Sequence, residues 1–101
     1  MRMIVFFDLP METSKNVRDY NAFRKYLIKQ GFIMMQKSVY TKLIMNNVAG
    51  IAVKKDLYKN LPPKGLVEIL EITENQFSRI EYAVGDGQKE IVDSMERIVE
   101  I

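Results

Sequence analysis

The sequence predicts an α+β domain of the ferredoxin-like kind, with strands and helices in the order βαββαβ, and three observations predict it. MIVFF (3–7) is an unbroken apolar run rich in β-formers, which suits a central strand buried on both faces. Two stretches with helical spacing, about 13–30 and 46–60, each separate segments that lack it. That alternation is the split βαβ pattern, in which the first strand lies inside the sheet.

The elements follow in order. The first strand ends at Asp8, with Leu9 and Pro10 after it. Thr13 and Ser14 are capping residues for a helix running to about Gln30, and Gly31 is its expected left-handed stop. At 100° per residue, Val17, Tyr20, Phe23 and Leu27 share one side, and Lys15, Arg18, Lys25 and Lys29 share the other. FIMMQKSVYTKLI (32–44) reads as two short strands with a bend near Gln36 to Ser38. Asn46 and Asn47 cap a second helix that Pro62 and Pro63 terminate; Ala49, Val53, Leu57 and Leu61 form its apolar face, while Val48 and Ile51 point elsewhere. LVEILEIT (66–73) is the fourth core strand. RIEYAVG (79–85) reads as a further strand, and SMERIVEI (94–101) as a short strand or the end of a helix begun at Gln88. Strands beyond the closed unit need an edge to pair with, and a second copy of the chain supplies one. The expectation is a single domain over 1–101, whose extension 79–101 makes dimer and partner contacts, with its extra strand or strands exchanged in a homodimer.

Composition narrows the chemistry. The chain has 101 residues, 48% of them hydrophobic, which suffices for one real core. It has no cysteine and no histidine, which excludes a disulfide framework, a thiolate metal site and the commonest acid-base catalyst. Any metal would be hard and oxygen-bound, such as magnesium. No run approaches the roughly 20 apolar residues of a membrane span, so the expectation is a cytoplasmic protein with no membrane partner. The net charge of +2 hides a segregation: residues 1–65 carry +8 and residues 66–101 carry −6. A basic first two-thirds suits a polyanion, or is merely a set of solvated helix faces; the acidic remainder suits a docking surface.

Asp8 is the one charged residue at the tip of that apolar run, and burying a lone carboxylate is costly. Its position alone allows two roles: capping of the following turn, or ligation of magnesium, for which two copies in a symmetric dimer would supply two carboxylates. Other signatures fail. The serines lack nucleophile-elbow glycines, Gly85-Asp86-Gly87 is a turn signal, and the Lys64 to Leu70 stretch lacks the aromatics that stack bases on an RNA-recognition sheet. The seven methionines suit core filling.

Taken together, FFDLP at the end of the first strand, GFIMMQKSVYTKLI after the first helix and LEITENQFSRI near the last core strand resemble one family over nearly the whole chain. It is the second core protein of CRISPR spacer acquisition, the small CRISPR-associated endoribonuclease and integration-adaptor family; Asp-Leu-Pro with Asn46-Asn47 resembles its subtype II-A branch. The resemblance implies a ferredoxin-like homodimer joined through C-terminal strands. It implies that Asp8 is a ligand of Mg2+, or of a divalent cation such as Mn2+, shared between protomers. Gln36-Lys37-Ser38-Val39-Tyr40 matches the family's Gln-x-Ser-Val-aromatic element, so Ser38 and Tyr40 are expected to line the cleft near that acid. Two functions are implied: an adaptor that binds duplex DNA and bridges two integrase dimers, or a magnesium-dependent endonuclease acting on single-stranded RNA or duplex DNA. Lys15, Arg18, Lys37 and Arg79 are the expected phosphate contacts, and the acidic C-terminal third the expected integrase-docking surface.

Overall fold

The computed structural model describes residues 1–85. Strand β1 (Arg2–Asp8), helix α1 (Ser14–Lys29), strands β2 (Ile33–Gln36) and β3 (Val39–Leu43), helix α2 (Asn47–Tyr58) and strand β4 (Leu66–Ile72) follow in order, with a one-turn helix α3 (Glu74–Phe77) after them. The sheet runs β2-β3-β1-β4 and every pair is antiparallel, so the ferredoxin-like βαββαβ architecture is present and β1 is a central strand.

Alternation along β1 sorts the sheet into two faces. Met3, Val5 and Phe7 are buried in the core with Tyr20, Phe23 and Leu27 of α1, Leu57 of α2 and Tyr40 of β3. Leu27 and Leu57 are fully buried, each worth about 1.5–3 kcal/mol of transfer from water. Ile4, Phe6 and Asp8 face the other way, in register with Leu70, Glu68 and Leu66 of β4. Leu66 and Leu70 are half exposed there, as is Ile33 opposite Thr41 at the far side of the sheet. This second face carries no helix of the βαββαβ unit; Ile4 and Thr41 are buried on it, and Leu66, Leu70 and Ile33 are exposed there together with Asp8 and Glu68.

Local sequence sets the boundaries. Thr13 accepts from the Asn16 backbone N–H at 3.0 Å while Asn16 Oδ1 accepts from the Thr13 N–H at 3.2 Å, a reciprocal cap on α1. At the other end Gly31 takes φ +93°, the Gly31 N–H donates to Ile28 O and the Phe32 N–H to Leu27 O. That double bond closes the helix and seats Phe32 against the core. Asn46 caps α2 by accepting from the Ala49 N–H at 2.8 Å. The Tyr26 hydroxyl of α1 donates to Asp56 of α2 at 2.5 Å, and burial, with that carboxylate second, pushes the phenol well above its ordinary pKa.

Two expectations are corrected. Val17 is 36% exposed, since the buried stripe of α1 begins one turn later at Tyr20. Leu61 lies beyond the end of α2 and is also partly exposed. Residues 79–85 form turns and bends in the single chain; the strand expected there is one that pairs with a second copy. The expected element over 94–101 lies outside the described residues. Helix α3 escaped the periodicity reading because one turn is too short to show a period. Its signal is Thr73-Glu74-Asn75-Gln76, a capping box in which Thr73 and Gln76 bond reciprocally at 3.0 and 2.9 Å.

Candidate functional site

Antiparallel pairing collects several chain segments at one end of the sheet. β1 finishes there at Asp8, β4 begins there at Leu66, and the β2–β3 turn of Lys37 and Ser38 is there because Val39 pairs with Phe6. The Phe7 N–H donates to Ser38 O at 3.0 Å, so Ser38 abuts the residue before Asp8. Tyr20, on α1, donates its hydroxyl to Lys37 O at 3.1 Å and lies 3.4 Å from Ser38 Oγ. These contacts fix the turn against both the strand and the helix.

Gly65 closes the other side. It takes φ +99°, and a Cβ there would stand 2.8 Å from Asp8 O and 2.7 Å from Leu9 Cδ2. Only glycine accepts both the left-handed backbone and that approach. The packing brings the exposed Lys64 beside the end of β1, a cation that reading the sequence for helix faces missed; its signal was the Lys-Gly pair following Pro62-Pro63.

Asp8 is exposed, and among the described residues no cation pairs with its carboxylate. Beneath it the core is aromatic: Phe7 lies 5.6 Å from Tyr20, 5.2 Å from Phe23 and 5.7 Å from Tyr40, ring centre to ring centre. The Tyr40 ring is fully buried on that helix-covered face, and its hydroxyl has no partner among the described residues. Ser38 is half-buried. The structure thus gathers Asp8, Ser38 and Lys37 at one end and sets Tyr40 inside the core below them.

The basic candidates divide. Lys15 and Arg18 lie exposed in the first turns of α1, Lys15 bound to Asp19 at 3.1 Å. Arg79 follows α3, which succeeds the end of β4 opposite Arg2, so it sits at the other end of the sheet, roughly 20 Å of strand away. There Arg2 donates from Nε and Nη2 to the two Glu74 carboxylate oxygens at 2.9 and 2.7 Å and stacks over the Phe77 ring at 4.2 Å. That bonding holds the Glu74 carboxyl below its ordinary pKa.

Among the described residues no group of three or more acidic, histidine or cysteine side chains stands close enough to hold a metal ion.

Comparison with known proteins supplies the identity. Residues 1–80 match the family model described as CRISPR associated protein Cas2. This chain belongs to the Cas2 family. A Treponema denticola relative named CRISPR-associated endoribonuclease Cas2 is 50% identical over 99 residues, covering 98% of each chain. One of the same name from Streptococcus mutans is 44% identical over 99 residues, covering 98% of this chain and 91% of its own. The crystal structure of Streptococcus pyogenes Cas2 at pH 6.5 superposes with a TM-score of 0.63 at 17% identity, over 84% of this chain and all of that one. That last likeness bears on the fold, and it agrees with the βαββαβ arrangement. Among the described residues no helix is long and apolar enough to cross a membrane.

Proposed function

We propose that this Cas2-family chain works in CRISPR spacer acquisition, in the cytoplasm, as a homodimeric adaptor that holds a short DNA duplex and bridges two dimers of the partner integrase. The observation that carries the reading is the layout of the protomer. Its exposed cations Arg18, Lys37 and Lys64 lie on segments that meet the end of β1, while Ile33, Leu66 and Leu70 are exposed on the sheet face away from α1 and α2 and would pack on a second copy. Cations of this kind read phosphates without reading bases, which suits an adaptor that must accept any sequence.

A second reading, a magnesium-dependent endonuclease acting on RNA or duplex DNA, is favoured by the word endoribonuclease in the relatives' names and by the exposure of Asp8. Asp8 from each of two packed protomers would hold Mg2+ or Mn2+, with Ser38 beside it. The ion, when bound, would neutralise phosphate charge and lower the pKa of a coordinated water. Tyr40 would act from below, by fixing Phe7 and so the direction of the strand end.

One substitution separates the two. Asp8→Ala is expected to leave spacer acquisition intact and to abolish any EDTA-sensitive cleavage by the purified protein. Loss of acquisition in a variant that still folds and still binds the integrase would overturn the adaptor reading. Because Asp8 is exposed, the variant's stability should stay within about 0.5 kcal/mol of the parent.

A further inference from the structure

Away from Asp8, at the end of the sheet where β1 begins, a cavity of about 560 Å³ opens between α2 and the strands, lined by Met1, Ile44, Ile51, Lys54, Lys55 and Tyr58 among others. Gly50 makes its floor: a Cβ there would come 3.2 Å from Ile44 Cγ2 and 3.4 Å from Glu71 Oε2, so any larger residue would begin to fill the space. Among the described residues its apolar lining is uncovered: Ile51 and Tyr58 are 68% and 63% exposed, and Val48 and Met45, 78% and 79% exposed, continue the apolar surface past the cavity at the start of α2. The rim is cationic. Lys54, Lys55 and the α-amino group of Met1, which donates to Ile44 O at 3.2 Å, face one carboxylate, Glu71, bound to Lys54 at 3.3 Å.

A surface of this kind takes an apolar segment that carries its own carboxylates. The sequence contains one. Residues 88–101 hold Ile91, Val92, Met95, Ile98, Val99 and Ile101 among four acids and two bases, a net charge of −2. The Arg2–Glu74 pair keeps α3 at the same end of the sheet as the cavity, and the chain runs on from there towards 88–101. Helix α2 is itself about 18 Å long, a length that fourteen residues can cover. We infer that the α2 groove is the docking site of this chain's own segment 88–101, whether from the same copy or a second one. The inference does not depend on the DNA-binding or nuclease reading.

The absence of native cysteine makes a direct test clean. In the full chain, Ile51→Cys is combined in turn with Ile91→Cys, Met95→Cys and Ile98→Cys, and disulfide formation under mild oxidation is followed by non-reducing electrophoresis. At least one combination should crosslink at least tenfold faster than Lys25→Cys with the same tail substitution, Lys25 being exposed on α1. That combination should slow several-fold once Lys54→Glu and Lys55→Glu are added. If no combination outruns the Lys25 control, the inference is overturned. Unchanged crosslinking after the two charge reversals would overturn the charge match. Crosslinking of Ile51→Cys to added integrase, with none to the tail, would overturn it in favour of another occupant.

Discussion

The Tyr20 hydroxyl donates to the Lys37 carbonyl at 3.1 Å, which ties the middle of α1 to the β2–β3 turn across 17 positions of sequence. Through that one bond the helix carrying Arg18 and the turn carrying Lys37 become a single surface beside the end of β1. Tyr20→Phe keeps the ring against Phe7 and removes only the hydroxyl, so it should cost about 1 kcal/mol. Urea denaturation with an unchanged slope would measure it, and DNA affinity should fall modestly through loosening of the turn.

Charge reversal tests which cations meet phosphate. Arg18→Glu and Lys37→Glu should each weaken duplex binding uniformly across sequences and reduce the slope of log K against log salt by about 1. Lys15→Glu should matter less, because Lys15 already shares its charge with Asp19. Arg79→Glu probes the opposite end of the sheet, and its effect should add to the others rather than replace them.

The open face of the sheet tests the dimer. Leu70 is 47% exposed in one protomer, so Leu70→Asp should leave the monomer fold within about 1 kcal/mol of the parent. Packing a carboxylate against a second apolar face carries a large desolvation cost. Sedimentation at micromolar concentration should therefore show dimer for the parent and monomer for the variant. A parent that sediments as a monomer would remove the dimer from the proposal.

The Arg2–Glu74 pair gives a pH dependence whose sign follows from linkage. Bonding to Arg2 lowers the Glu74 pKa in the folded chain, so its contribution is complete above the ordinary value of 4.5 and is lost as pH falls through the lowered folded value. Glu74→Gln should therefore be less stable than the parent at neutral pH by a fraction of a kcal/mol to about 1 kcal/mol, as befits a largely exposed pair. The difference should shrink in thermal melts taken progressively below pH 4.5. A difference that persisted unchanged into strong acid would mean that Glu74 acts by packing alone.

Much of the fold was legible along the chain because its signals are local. The apolar run of β1, the caps Thr13 and Asn46, the left-handed Gly31 and the paired Pro62-Pro63 each act within a few residues, and they place the core elements within a residue or two of where they lie. Asp8 stood out for the same reason, as a charge closing an apolar run. Its alternatives could not be separated that way, because an exposed carboxylate and a capping one have the same neighbours in sequence.

What the sequence by itself determined was the order of the six core elements, the buried middle of α1 at Tyr20, Phe23 and Leu27, and the family, all encoded in spacing and short motifs. Only the tertiary structure decided which residues meet. Strand register put Ser38, Lys37 and Lys64 beside Asp8 and sent Arg79 to the far end, and it turned Tyr40 inward against Phe7. Such juxtapositions depend on hydrogen-bonded pairing between residues tens of positions apart, where a shift of one residue would exchange the two faces of the sheet. It likewise took the packing of α2 on the sheet to turn Val48 and Ile51 from exceptions to a helical pattern into one exposed apolar surface with Tyr58.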